Sequence, residues 1–207
     1  MLVIGLTGSI GMGKTAVAGH IASRGVPILD SDSIVHRLYA GEAAAAIDAA
    51  FPGTVVDGLV DRSKLAAAAM ATEDGFARLE ALIHPLVRQA QWQFLQEQQA
   101  AGASLVVLDI PLLFETGGDQ FMDATIVVSA PADVQAARVL ARSGMTLEKL
   151  EAIRARQLPD AQKRVRADFV VDTGLAWEDT RKAVDKLLES LKEWPATAME
   201  RWRRLFA

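Results

Sequence analysis

No feature of this chain restricts its fold more than the octapeptide Gly8-Ser9-Ile10-Gly11-Met12-Gly13-Lys14-Thr15, which fits the pattern G-x-x-x-x-G-K-[ST]. It stands where that pattern has structural meaning. An apolar run, Leu2 to Thr7, precedes it and reads as a strand, and the residues after it open a helix. Glycines let the backbone wrap a phosphate with its N–H groups pointing inward, and the N-terminus of the following helix adds partial positive charge. Lys14 is placed to reach the β and γ phosphates of a nucleoside triphosphate, and the Thr15 hydroxyl to hold Mg²⁺. Gly8, Gly11, Met12, Gly13, Lys14, Thr15 and Ala16 are therefore the candidate nucleotide-binding residues. Such a loop does not by itself choose between a kinase, a GTPase and a motor ATPase.

The apolar signature returns at Val26 to Leu29, Leu105 to Asp109, Thr125 to Ser129 and Asp168 to Val171. These are continuous rather than alternating runs, the form taken by strands of a parallel sheet buried on both faces. Helical sequence separates them, so the class is α/β, a parallel sheet flanked by helices. From Ser33 to Gly102 no strand is expected, and the stretch far exceeds an ordinary crossover of about a dozen residues. Its Ala-rich, helical sequence predicts an inserted helical subdomain. The segment from Arg138 to Arg166 is also helical in pattern, with breaks at Gly144 and Pro159, and is a candidate mobile lid. A last helix, Trp177 to Leu191, carries Trp177, Val184, Leu187, Leu188 and Leu191 on the face expected to pack on the sheet. The Trp194 to Phe206 segment, with Arg201, Arg203 and Arg204, reads either as a helix packed on the core or as a partner-binding tail.

Composition narrows the function classes. A hydrophobic share of 51% and a charged share of 23% belong to a folded globular chain, and 207 residues fit one domain with insertions, since single cores stop growing beyond roughly 250 residues. There is no cysteine, which removes disulfides, thiolate metal sites and cysteine nucleophiles and makes an intracellular, cytoplasmic location the simpler expectation. The first residues lack a basic stretch and turn polar too soon for a signal peptide. The most apolar later run, Leu105 to Phe114, is interrupted by Asp109 and is about half as long as a membrane helix. A net charge of −4 argues against nonspecific nucleic-acid binding. Between Arg138 and Arg166, however, eight basic residues stand against three acidic ones, a segment suited to an anion.

Three further places separate the loop-bearing classes. No Asn-Lys-x-Asp guanine-reading motif occurs, which speaks against a GTPase. Asp30-Ser31-Asp32-Ser33 follows the second strand, so Asp32 should project from the carboxyl edge of the sheet, where α/β folds bind ligands. A carboxylate there can take the proton of an attacking hydroxyl, or these residues can simply cap the helix beginning near Ser33. Val106-Val107-Leu108-Asp109 is an apolar strand ending in an acid, the form of a Walker B element whose Asp helps hold Mg²⁺. Arg138 and Arg142, at i and i+4 on an expected helix, would present two guanidinium groups to one side, either to a transferring phosphoryl group or to solvent.

From Leu2 to about Gly174 the chain resembles the dephospho-CoA kinase family. The segments that carry the resemblance are Gly5-Leu6-Thr7-Gly8-Ser9-Ile10-Gly11, Val26-Pro27-Ile28-Leu29-Asp30-Ser31-Asp32, Ile83-His84-Pro85-Leu86-Val87 and Asp109-Ile110-Pro111-Leu112-Leu113-Phe114-Glu115. Arg138 followed by Arg142, Arg154-Ala155-Arg156-Gln157, and Ala167-Asp168-Phe169-Val170-Val171-Asp172 complete it. The resemblance implies a P-loop core (1–30, 103–136 and 167–207), a helical domain for the CoA precursor (31–102) and a lid (137–166). It implies ATP-dependent phosphorylation of the ribose 3′-hydroxyl of dephospho-CoA, with Lys14 and Arg138 as phosphate stabilisers and Asp32 as base; beside it the motif reading keeps Arg142 as a candidate on the nucleotide and Thr15 and Asp109 on Mg²⁺. His84 and Glu115 would lie near the acceptor cleft, although His84 can equally be structural before Pro85. Two positions depart from the family pattern: Ser9 stands where Gly is usual and Thr173 where Asn is usual. Other readings are a shikimate- or gluconate-type kinase and an ATP-binding regulator without catalysis; the joint presence of Asp32 and the lid arginines speaks for catalysis. The sequence leaves the oligomeric state open.

Overall fold

Leu2–Thr7 has no polar side chain before its last residue, and all six residues are buried in the first strand, β1. The computed structural model describes residues 1–207, which form two compact units. One comprises Met1–Leu29 with Glu97–Ala207, the other Asp30–Gln96. In the first, β1 is the centre of a five-stranded sheet of order β2-β5-β1-β6-β7, where β2 is Ile28–Asp30, β5 Leu105–Asp109, β6 Ala124–Ser129 and β7 Phe169–Asp172. β1 pairs in parallel with β5 (Val3 opposite Val106) and with β6 (Leu6 opposite Ile126), and β6 pairs in parallel with β7. The chain leaves β1 toward one side of the sheet and crosses to the other after β5. Such a reversal opens a crevice beyond the carboxyl ends of the strands, where α/β sheets bind ligands.

The strand runs read from sequence agree with the observed ones to within a residue or two; the largest shift is in β2, which starts at Ile28 rather than Val26. Helix α1 (Lys14–Ser23) turns Val17 and Ile21 onto the sheet, where they join Ile4, Leu6 and Val128 and, from helix α9 (Trp177–Ser190), Val184 and Leu187. Asp185 of α9 ties the two helices together. It accepts from Arg24 Nε at 2.8 Å and pairs with His20 Nε2 at 2.9 Å, and the Arg24 bond above all holds its carboxyl below the usual carboxylate range. Trp177 does not join the core stripe as its spacing predicts: it is 46% exposed and meets His20 edge-on, because the helix starts at that residue.

The second unit holds helices α2 (Ser31–Arg37), α3 (Ala44–Ala50), α4 (Arg62–Met70) and most of α5 (Gly75–Ala100), around Ile34, Leu38, Ile47, Phe51, Leu65 and Ile83. It also contains a short hairpin, β3 (Val55–Val56) with β4 (Leu59–Val60), in a stretch where no strand is expected. The signal lies in Val56-Asp57-Gly58-Leu59: Asp57 and Gly58 both have positive φ (51° and 78°), the turn that Asp-Gly supplies between two paired strands.

In the basic segment, helices α6 (Ala132–Leu140), α7 (Leu147–Arg154) and α8 (Asp160–Arg166) are separated at Gly144, which has φ 74°, and at Pro159, the N-cap of α8. The terminal segment is a helix on the core. In α10 (Ala198–Leu205), Trp202 is 1% exposed and its Nε1 donates to the Phe121 carbonyl at 3.0 Å. The fully buried Asp123 carboxylate accepts from the backbone N–H of Val3 (2.8 Å), Thr197 (2.6 Å) and Ala198 (2.6 Å). Replacing Trp202 by Ala is expected to destabilise the fold by about 3–5 kcal/mol, read as a lowered urea midpoint; a midpoint unchanged from wild type would mean that the helix is only loosely attached.

Candidate functional site

The phosphate-binding loop follows β1 and ends on the first turn of α1, whose leading N–H groups have no carbonyl to bond within the helix. Two of its glycines answer specific needs. Gly11 has φ 77°, and a Cβ there would come within 2.5 Å of Val139 Cγ2. Gly13, the N-cap of α1, has φ 85°, and a Cβ there would stand 3.2 Å from the Thr173 hydroxyl. Ser9 is buried and has no positive φ, so a side chain costs nothing there. Met12 turns its side chain inward, where Sδ accepts from the Ala130 N–H at 3.1 Å, so the residue anchors the loop from below.

The loop is stitched to its surroundings on its outer side. Thr173 Oγ1 donates to the Met12 carbonyl at 2.7 Å. Ile10 is held by both of its backbone groups: Gln135 Nε2 donates to its carbonyl at 2.8 Å, and its N–H donates to Gln157 Oε1 at 3.1 Å. Gln135 Oε1 in turn accepts from Arg154 Nε (3.1 Å) and Nη2 (2.5 Å). Gln135, Gln157 and Thr173 carry no role in the sequence reading. Arg154 and Gln157 appear there only within the Arg-Ala-Arg-Gln run, and nothing in the spacing of Gln135 marks it.

Inside this frame Lys14 Nζ pairs with Asp109 Oδ1, a basic group at the start of α1 meeting an acidic one at the carboxyl end of β5. Asp109 is 5% exposed, and Thr15 and Ala16 lie exposed on the first turn of α1. No group of three or more His, Cys, Asp or Glu residues clusters as a metal cage. One carboxylate and one hydroxyl at a phosphate loop nevertheless fit Mg²⁺, which is held by one or two carboxylates plus substrate phosphates. Arg138 Nη1 donates to Thr173 Oγ1 at 3.1 Å and Nη2 to the Thr173 carbonyl at 2.7 Å, so the guanidinium is docked beside the loop. α6 stops at Leu140, so Arg142 lies just past the helix end rather than on it, with its N–H bonded to the Val139 carbonyl at 3.0 Å.

Glu115 lies in the loop after β5, where Oε1 pairs with the fully buried Lys163 ammonium of α8 at 2.8 Å and accepts the Leu158 N–H at 2.7 Å. It therefore joins the base of the basic segment to the sheet.

In the Asp30–Gln96 unit, α2 begins at Ser31 rather than Ser33, and Asp30 is its cap, with Oδ1 accepting the Asp32 N–H at 3.0 Å. Asp32 is thus freed from capping. It lines a cavity of about 370 Å³ with Val35, His36, Tyr39, Arg62, Leu65, Ala66, Phe76 and Leu79. The Arg62 guanidinium lies 5.5 Å from the Tyr39 ring centre, and burial pushes the Tyr39 phenol up against the opposing pull of that charge. His84 is half-buried on α5, one residue before Pro85, which lies inside that helix.

A parallel sheet whose central strand runs into a lysine-bearing phosphate loop, with an acid on the neighbouring strand and arginines on the following helices, defines a P-loop kinase. A family model for dephospho-CoA kinase matches residues 2–177, and the chain belongs to that family. It is 52% identical over 198 residues to the dephospho-CoA kinase of Brucella melitensis, covering 96% of this chain and 99% of that one. With the dephospho-CoA kinase of Mesorhizobium japonicum it shares 56% identity over 192 residues, 93% and 98% of the two chains. Among solved structures, the Thermus thermophilus protein TT1252 superposes with a TM-score of 0.81 at 36% identity, covering 92% of this chain and 97% of that one. The fold alone is shared with a shikimate kinase from Aquifex aeolicus, TM-score 0.53 at 18% identity over 91% and 97% of the chains.

Lys14→Ala should lower phosphoryl transfer by at least about 10²-fold, the usual cost of losing one donor to developing negative charge. ADP release from the purified variant measures it, and turnover within a few-fold of wild type would move the catalytic phosphate site elsewhere.

Proposed function

We propose that this chain transfers the γ-phosphoryl group of ATP to the ribose 3′-hydroxyl of dephospho-CoA, giving CoA and ADP. The observation that carries the reading is the pairing of Lys14 with Asp109 beside a phosphate loop, in a chain of the dephospho-CoA kinase family. In this reading the N–H groups of Gly11, Gly13, Lys14 and Thr15, at the α1 N-terminus, bind the β and γ phosphates, Met12 and Ala16 shape the loop with their N–H groups on the Ser9 and Gly13 carbonyls, and Lys14 meets the charge that grows on the bridging and γ oxygens. Thr15 and Asp109 would hold Mg²⁺, which when bound neutralises the β and γ oxygens. Asp32 takes the proton of the 3′-hydroxyl as its oxygen bonds to the γ phosphorus and the bond to the ADP oxygen breaks. The apolar and aromatic lining of the Asp32 cavity, with Arg62 at its side, suits a nucleoside acceptor carrying phosphates. Residues 137–166 act as the lid and Arg138 delivers charge to the moving phosphoryl group, while Arg142 serves the bound nucleotide. Water would otherwise compete for the phosphoryl group, which is why closure belongs to the chemistry. No helix is long and apolar enough to cross a membrane, and dependence on ATP and the lack of cysteine support a cytoplasmic location.

The direct test is ADP release with ATP, Mg²⁺ and dephospho-CoA, with the product mass checked and shikimate and gluconate run in parallel. Transfer to either of those and not to dephospho-CoA would overturn the assignment. Asp32→Asn should lower kcat about 10²- to 10⁴-fold with ATP affinity nearly unchanged, because it removes a proton acceptor that is not a helix cap; an unaltered kcat removes the base. Arg138→Ala should cost about 10³-fold or more in kcat, and Arg138→Lys should rescue poorly, since a point charge does not replace the planar fork.

A further inference from the structure

Thr173 sits just past β7, 6% exposed, with its N–H bonded to the Ser129 carbonyl at 2.8 Å. Its hydroxyl oxygen lies 2.7 Å from the Met12 carbonyl, 3.2 Å from the Ser129 carbonyl and 3.1 Å from Arg138 Nη1. A hydroxyl has one proton to give. The shorter contact, to Met12, takes it, so toward Arg138 the oxygen can only accept. The three groups form a chain of fixed direction: Arg138 donates to Thr173, and Thr173 donates to the loop. The second arm of the guanidinium donates to the carbonyl of the same residue at 2.7 Å, which fixes the plane of the fork as well as its place. Threonine is stiff at χ1, so its hydroxyl is set by the end of β7. Arg138, by contrast, is an exposed residue in the last turn of α6, with many rotamers available to it.

We propose that Thr173 is the positioning residue for Arg138 in phosphoryl transfer, holding the guanidinium against the phosphate loop so that its charge is in place before the phosphoryl group moves. The proposal rests on the transfer role given to Arg138 above. Thr173→Val keeps the shape, the stiffness and the backbone carbonyl, and removes only the hydroxyl. It should lower kcat about tenfold, the effect of one hydrogen bond to a charged group, while the KM for ATP holds within about twofold. Thr173→Ser should restore most of the loss.

The deciding measurement is a double-mutant cycle with Arg138→Ala, run in single turnover with a thermal melt on every variant. If Thr173 acts through Arg138, Thr173→Val has no further effect once Arg138 is gone. An equal loss in both backgrounds overturns the proposal, as does a raised KM for ATP with kcat intact, which would mean that the hydroxyl serves the loop alone. Should Thr173→Val fail to fold, Thr173→Ala carries the same comparison. A separate result, Arg138→Ala retaining near wild-type kcat, would end the transfer role of Arg138 and this proposal with it, whereas a collapse in Arg138→Ala combined with additivity sinks only the positioning of Arg138 by Thr173.

Discussion

Everything around the nucleotide site answers one constraint: a loop that presents its N–H groups to a phosphate must have its remaining polar groups satisfied from behind. A backbone carbonyl without a partner is costly when buried, and a loop free to turn would point its donors nowhere in particular. Here the Met12 carbonyl is met by Thr173, the Ile10 carbonyl by Gln135 and the Ile10 N–H by Gln157. The supporting residues come from the end of β7, α6 and the stretch after α7, so three parts of the chain, 161, 125 and 147 residues on from their partners, are committed to one short loop. The same residues reach the arginines: Gln135 holds Arg154 and Thr173 holds Arg138. Any movement of these arginines is therefore felt by the backbone that carries the phosphate.

What is legible in the sequence follows from how local the cause is. The strands β1, β5 and β6 stand out because strands buried on both faces must be continuously apolar, and the phosphate loop stands out because its glycines answer local backbone geometry. Asp109 is legible as the acid ending such a strand. Gln135 and Thr173 are not, since their partners are 125 and 161 residues away and no periodicity records a pairing of that kind. The end of α6 at Leu140, two residues before Arg142, is likewise not marked in the sequence, where Gly144 is the first visible break. The Asp57-Gly58 hairpin is local and readable, but it hides within a long Ala-rich stretch whose overall pattern is helical.

The Asp30–Gln96 unit shows how a shift of two residues changes a functional argument. With the helix starting at Ser31, the capping role falls on Asp30, and Asp32 turns to a cavity with an aromatic and an arginine on its walls. One carboxylate holds the helix while the one two residues on faces the cavity, a division that the four residues Asp-Ser-Asp-Ser do not reveal alone.

The buried Asp123 has a consequence for how the chain is made. Its carboxylate joins Val3, at the start of the central strand, to Thr197 and Ala198 near the other end of the sequence. Both strand neighbours of β1 also arise about a hundred residues or more after it. During synthesis β1 leaves the ribosome ahead of β5, then β6, and finally α10, and must wait for each before its surroundings are complete. Such long-range closure slows folding and leaves an apolar strand in need of protection meanwhile. A strand translated ahead of its partners is thus among the last to be finished.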